Sequence, residues 1–356
     1  MKRDKTSIRK ILTLILILGC LFFVPPSIIQ AQEEPTAEEK LIEKYPWIEQ
    51  ILTDIKSKSK PRPLTDFIAL GGYVDLSFGY NNNVNSNSER NGDVFFQMSS
   101  RVQAAYTGWH TSQPVIGFDT FATKYSERED GDGYDIAVFT GVDWKVNPRL
   151  LWSNRIIFDS YFMPDSKNSN FYAPKFSTSV RHLLTKRLSH KLTYEWSYLD
   201  YYKRIIRSGN GQPSTEGTKR HDYRNRCAYS LNFRFDKVRL GLLTEMVFNE
   251  SNYTLEDYYD YHSFRAKPSI TYYINDNLSA ELTFSAKEKK YKDRPISTNS
   301  NDEVSETNLF YSAAIYYDLK QNVTCGITYT YTENSSNEPT QEYSGSTIFT
   351  SLTYIF

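Results

Sequence analysis

From Asp66 to Phe356 the chain alternates apolar and polar side chains with a period of two, in segment after segment. Successive side chains of a strand point to opposite sides, so each such segment has one apolar and one polar face. Phe67–Tyr80 sets Ile68, Leu70, Val74, Leu76, Phe78 and Tyr80 against Gly71, Tyr73, Asp75, Ser77 and Gly79. Tyr223–Phe235 sets Cys227, Tyr229, Leu231, Phe233 and Phe235 against Arg224, Arg226, Ser230, Asn232 and Arg234. Roughly fourteen such segments fit between 67–81 and 342–356, most of them longer than the five or six residues common in soluble sheets. A tilted strand needs about 9–11 residues to cross a bilayer, and these have that length.

The connections sort by length. Long polar stretches follow the odd-numbered segments: Asn82–Asp93, Glu127–Asp132, Pro164–Asn170, Lys203–Lys219, Glu250–Tyr259, Tyr291–Val304 and Asn334–Gln341. Tight ones follow the even segments, at Val146–Pro148, Thr185-Lys186, Asp236, Asn275-Asp276 and Lys320-Gln321, with Trp109–Pro114 the longer exception. Short periplasmic turns alternating with long outer loops are the pattern of an outer-membrane barrel. The expected fold is therefore all-β, an antiparallel up-and-down transmembrane β-barrel of about fourteen strands. Closure follows from the solvent, because lipid tolerates only backbones whose polar groups are all paired. Tyr80, Tyr106, Trp144, Trp152, Trp196 and Tyr317 lie near strand ends and are expected in the two interfacial girdles.

Residues 1–31 begin with Lys2, Arg3, Lys5, Arg9 and Lys10, and continue through the apolar run Ile11–Val24 to Pro25-Pro26 and Ala31. That run is short of the ~20 residues of a stable anchor and reads as a secretory signal peptide cleaved after Ala31. A lipoprotein site at Cys20 is the weaker reading, because the apolar run continues past it to Val24. The whole chain has 42 basic and 42 acidic residues; without the five bases and the one acid (Asp4) of the leader it keeps 37 and 41, a net of −4. No nucleic-acid partner is expected of such a balance.

Residues 32–65 are expected to form a short helical periplasmic lead-in and linker, and 66–356 the barrel. Thr36 and Glu39 have capping-box spacing, and Leu41, Ile42 and Tyr45 share one helical face. Pro46 opens a second set of turns carrying Trp47, Ile48, Ile51, Leu52 and Ile55. Lys56–Pro63 reads as an extended basic linker. Three roles stay open for residues 33–60: a passive lead-in, a helix docking a periplasmic partner, and a plug folding into the lumen.

The polar faces of the strands place charge inside the barrel. Arg101, Arg155, Lys175, Arg181, Lys191, Arg224, Arg226, Arg234, Arg239, Arg265 and Lys267 are expected to line the lumen. Asp75, Asp119, Asp135, Asp143, Asp159, Glu195, Glu245, Glu281 and Asp318 are expected to face the same space. The bases gather in the fifth to tenth segments and the acids mainly in the first five, so the lumen should carry a transverse field that selects among ions. The other reading is that these charges pair and fill the interior.

Cys227 and Cys325 both point outward on distant strands, too far apart for a disulfide. His110, His182, His190, His221 and His262 have no metal-ligand spacing, so no metal or cofactor is expected. His221-Asp222 and His262 fall near the outer rim with nothing to complete a catalytic site, and the protein is not expected to be an enzyme. The acids Glu127, Glu129, Asp130 and Asp132 read as a solvated outer loop. Loop Lys203–Lys219 with Arg220 suggests contact with lipopolysaccharide phosphates or an anionic solute.

In the last segment Ile348, Thr350, Leu352, Tyr354 and Phe356 share one face. Leu352, Tyr354 and Phe356 resemble the signal read by the barrel assembly machinery, which is an expected partner along with outer-membrane lipid and lipopolysaccharide.

The first strand ends in Gly79-Tyr80-Asn81-Asn82-Asn83-Val84-Asn85. This run resembles the opening of the barrel domain in surface lipoprotein assembly modifiers and in barrels associated with exopolysaccharide export. The resemblance covers about residues 66–356, with Asn83 and Asn85 matching the motif, and implies a fourteen-stranded barrel. It carries over no catalytic role. That family has a helical repeat domain ahead of the barrel, whereas only a short lead-in precedes it here. The function expected is a pore or export conduit for a polar solute or polymer in the outer membrane of a Gram-negative bacterium. The alternatives are a surface assembly factor and a closed barrel presenting adhesive loops.

Overall fold

The computed structural model describes residues 62–65, 67–84, 91–164, 170–205, 219–252, 259–296 and 299–356. The signal peptide expected over 1–31 and the helical lead-in over 33–60 lie outside the described residues. A four-residue strand, β1 (Arg62–Thr65), precedes the wall. The first half of the wall comprises β2 (Ile68–Asn81), β3 (Asp93–Tyr106), β4 (Ser112–Tyr125), β5 (Gly133–Asn147), β6 (Leu150–Phe162), β7 (Phe171–Leu183) and β8 (Leu188–Ile205). The second half comprises β9 (Lys219–Arg234), β10 (Val238–Ser251), β11 (Tyr261–Tyr273), β12 (Leu278–Ile296), β13 (Asn299–Lys320), β14 (Val323–Ser336) and β15 (Tyr343–Ile355). Every strand pairs antiparallel with its chain neighbours, and β2 pairs with both β3 and β15, closing a fourteen-stranded up-and-down barrel.

The period-two pattern dictates which face of the wall is turned outward. On β5, Ile136 and Val138 are 55% and 50% exposed, whereas Asp143 on the other face is 2% exposed. Tyr80, Tyr106, Trp144, Trp152, Trp196 and Tyr317 all lie on the exposed outer face. The Trp144 and Trp152 rings sit 5.3 Å apart on paired positions of β5 and β6. Cys227 and Cys325 are free thiols on that face.

The tight connections have a local cause. Asn147 Oδ1 accepts from Arg149 N at 2.8 Å, and Thr185 Oγ1 accepts from Arg187 N and Leu188 N at 3.1 and 3.0 Å. Asn275 Oδ1 accepts from Asn277 N and Leu278 N, each at 2.9 Å. Short polar side chains that bond the backbone two or three residues on reverse the chain without a longer loop.

Two segments depart from the sequence reading. Tyr291–Val304, expected as a loop, is largely strand: β12 runs to Ile296, β13 starts at Asn299, and these two residues pair. The register shifts between Lys290 and Pro295, as it must where proline removes a ladder donor. The run Lys289-Lys290-Tyr291-Lys292-Asp293-Arg294 is charged at neighbouring positions, so the hairpin pairs without the alternation that marks the wall. The end of the Lys56–Pro63 linker is also paired: Arg62 and Pro63 of β1 lie opposite Leu70 and Ala69 of β2.

The β2–β15 junction has nine residue pairs, from Thr347↔Asn81 to Ile355↔Tyr73. Beyond them, Gly72 N donates to Phe356 O at 3.0 Å and Phe356 N to Gly72 O at 3.1 Å. β1 then continues along the same edge of β2, in line with β15.

Candidate functional site: the charged lumen

Alternation places each expected lumenal residue on the face opposite the exposed apolar one. Asp75 is on β2, Arg101 on β3, Asp135 on β5, Arg155 on β6, and Arg181 on β7. Lys191 and Glu195 are on β8, Arg224, Arg226 and Arg234 on β9, and Arg239 and Glu245 on β10. Arg265 and Lys267 are on β11 and Glu281 on β12. In a ring of fourteen strands β5 and β12 are seven strands apart, so the walls centred on them face each other.

The two walls are balanced differently. On β3–β7 three bases are each paired with an acid. Arg101 grips Asp119 with two parallel bonds, Nε–Oδ1 at 2.6 Å and Nη2–Oδ2 at 2.8 Å. Arg155 Nη2 lies 2.7 Å from Asp143 Oδ1, and Lys175 pairs with Asp159. Asp135 forms no ion pair among the described residues.

On β8–β13 bases outnumber acids. In one row Ala228, Glu245, Arg265 and Lys287 lie side by side across β9–β12; in the next, Arg226, Val247, Ser263, Lys289 and Glu306 do so across β9–β13. Arg226 Nε lies 2.7 Å from Glu245 Oε2 and its Nη1 is 3.9 Å from Glu195. Arg265 shares Glu245 at 3.6 Å, and Lys289 lies 3.9 Å from Glu306. Arg224 donates through Nε to Asn249 Oδ1 at 3.1 Å. Arg224, Lys267 and Lys287 have no carboxylate partner among the described residues. Arg226, Arg265 and Lys289 thus reach Glu195, Glu245 and Glu306, and Arg224, Lys267 and Lys287 stand beside them without a carboxylate. The Arg226 and Arg265 side chains are about a third exposed on the inner face.

Lys287 and Lys289 were not singled out in the sequence. The run Lys287-Glu288-Lys289-Lys290 is charged on both faces, which hides the alternation. Carrying forward the parity of Ser279, Glu281, Thr283 and Ser285 finds them.

Toward the outer mouth, Arg220 is inside the wall rather than part of an outer loop. Its guanidinium lies over the rings of Tyr259 at 3.9 Å and Tyr201 at 4.8 Å, and its Nε bonds Asp222 Oδ1 at 2.6 Å. Asp222 is fully buried and also accepts from Asn249 Nδ2 at 3.1 Å. Arg220 is therefore committed to the barrel's own structure. His221, between them, points to the other face, where Nδ1 lies 3.1 Å from Asp200 Oδ1. His221 and Asp222 cannot act together, because neighbours on a strand face opposite sides. Asp132 is buried, accepting from Tyr125 N at 2.7 Å and pairing with Lys124, so it fastens the 126–132 loop instead of standing in solvent. No group of three or more His, Cys, Asp or Glu able to hold a metal ion occurs among the described residues.

The solved structures similar in fold are outer-membrane barrels. OmpT, an outer membrane protein of Vibrio cholerae, matches with a TM-score of 0.51 at 8% identity, over 83% of this chain and 99% of that one. The outer membrane channel DcaP of Acinetobacter baumannii matches with a TM-score of 0.50 at 11% identity, over 81% and 97%. No family model and no curated protein matches the sequence. In fold, this chain is similar to these outer-membrane β-barrels.

Proposed function

We propose that the protein is a water-filled conduit of the outer membrane that prefers anionic polar solutes. The observation that carries this reading is the surplus of cations on β9–β12, set across the lumen from a wall whose bases are matched by acids. A fourteen-stranded barrel has a wider interior than an eight-stranded one, whose side chains fill it. Fixed charge on one side of a low-dielectric pore raises the local concentration of counter-ions. Single-channel recording in a planar bilayer under a salt gradient tests the reading: steady, anion-preferring conductance is expected, and cation preference overturns it.

A second reading is a surface assembly factor, motivated by the Gly79–Asn85 run and its resemblance to surface lipoprotein assembly modifiers. Asn82 and Asn83 bond Ser346 and Ser344 of β15, which supports a part in joining the first and last strands more than one in recognising a client. Loss of surface display in a deletion strain, with solute uptake unchanged, favours this reading over the first. A cleaved leader and recognition of Leu352, Tyr354 and Phe356 by the assembly machinery belong to either.

A further inference from the structure

Charged partners across the strands of the inner face are of two kinds. Arg101 of β3 stands directly opposite Asp119 of β4, and the two form an ion pair. Arg265 of β11 stands directly opposite Lys287 of β12, which is another base. The Cβ atoms of such partners are about 4.5–5.5 Å apart, and like charges so placed destabilise the pairing. The neighbouring acid gives little relief. Glu245, opposite Arg265 on β10, bonds Arg226 Nε at 2.7 Å and lies 3.6 Å from Arg265 Nη1. On its other side Lys287 has Asn308 of β13, which is not an acid.

A third base completes the group. Lys267 is the next inward residue of β11 toward the periplasm, about 7 Å along the strand from Arg265. It is exposed, and it stands opposite Leu243 of β10. The Arg265 side chain is 36% exposed on the same face. Along β12 from Lys287 the next inward residues are Ser285 and Thr283, both neutral. The acid that follows, Glu281, accepts from Thr271 Oγ1 at 3.1 Å. Arg265, Lys267 and Lys287 therefore surround a patch of two adjacent strands that has no acid of its own.

The chemistry of these donors selects a kind of anion. A guanidinium offers a planar fork of N–H groups, and an ammonium is a compact charge with three rotatable donors. A halide carries one charge and accepts without direction. A tetrahedral oxyanion with two charges has four acceptor oxygens, enough for the Arg265 fork and both ammoniums at once. Ser285 and Asn308, next to Lys287 along and across the strands, add neutral donors. An anion between Arg265 and Lys287 turns one repulsion into two attractions.

We propose that Arg265, Lys267 and Lys287 form a binding site for a divalent tetrahedral oxyanion such as hydrogen phosphate, so that the lumen discriminates among anions and not only between anions and cations. Passage of such an anion through the wall rests on the conduit reading above; its binding at the three bases does not.

Equilibrium dialysis of the purified mature chain in a neutral detergent reads binding without conduction. Radiolabelled inorganic phosphate is the probe, at about pH 8, where it is mainly the dianion, over a chloride background. About one phosphate per barrel is expected, bound about tenfold more weakly by Arg265→Gln with Lys287→Gln and within about threefold of native strength by Lys287→Arg. The same heat-dependent gel mobility in all three proteins shows that each is folded. Equal affinity in the native chain and the double variant overturns the site, as does no binding by the native chain. As a second measurement, the folded gel band of the native chain should survive to a higher temperature in phosphate than in chloride of equal ionic strength, and that of Lys287→Gln should not; the same shift in both overturns the proposal. Conductance separates the two readings. Phosphate binding without anion-preferring conductance keeps the site and removes the conduit; anion-preferring conductance without phosphate binding keeps the conduit and removes the site.

Discussion

Asn83 is buried at the outer end of the β2–β15 junction and donates its side-chain amide to the carbonyl of Ser344 at 2.9 Å. Its neighbours complete a clasp. Asn82 Oδ1 accepts from Ser346 N at 2.7 Å, Asn81 Oδ1 accepts from Asn83 N at 3.0 Å, and Asn81 Nδ2 donates to the Tyr125 hydroxyl at 3.2 Å. Three successive asparagines thus tie β2 to β15 and β4. Asn83→Ala leaves the part-buried Ser344 carbonyl without this donor, a cost of about 1 kcal/mol. The temperature at which the unboiled, folded gel band is lost should fall by several degrees, with conductance unchanged.

Gly79 makes a sharper case. A Cβ there would approach the Ile348 carbonyl oxygen at 2.3 Å and Phe349 Cβ at 2.4 Å. Both neighbours belong to β15, whose ladder position is held by the clasp above and by Phe356 below, so the wall has little freedom to yield. Gly79→Ala should reduce the yield of heat-modifiable folded protein more than Asn83→Ala does, as measured by folding into detergent or liposomes.

Arg220 and Asp222 are buried as a pair, and removing one partner of such a pair typically costs 3–5 kcal/mol. Arg220→Ala should therefore destabilise the barrel strongly in urea-induced unfolding. Adding Asp222→Asn removes the stranded charge and should restore a large part of the loss. A double variant no better than the single one would show that the stacking of Arg220 on Tyr201 and Tyr259 dominates.

Selectivity should follow the unmatched cations rather than the total charge. Lys267→Glu with Lys287→Glu reverses two sites that have no carboxylate partner, and the reversal potential under a salt gradient should move toward cation preference. Exchanging a matched pair, Arg101→Asp with Asp119→Arg, keeps the sum of the opposite wall unchanged and should leave the reversal potential where it was.

The barrel was legible because lipid on one side and water on the other impose opposite demands on neighbouring residues. Where neighbouring positions are charged the signal disappears, as in the 291–304 hairpin and around Lys287 and Lys289. Ion pairing was hidden for a different reason. A one-residue slip in register changes every partner, so Arg226 with Glu245, or Arg155 with Asp143, cannot be read from either strand alone. The same limit hid the partners of His221 and Asp222, which are Asp200 on one face and Arg220 on the other. The clasp was visible as a motif without its meaning, because Asn82 and Ser346 are 264 residues apart.

That separation bears on how the protein can be made. Pairing between β2 and β15 joins the first and last staves of the wall, so no shorter product of the same gene can form a ring. A chain interrupted anywhere before β15 keeps two raw edges, each a row of amides and carbonyls that lipid cannot satisfy. Such fragments have no resting place in the membrane and are left to holdases and proteases. Completion of the last stave therefore acts as an inspection step, passed only by a chain whose two distant ends have met.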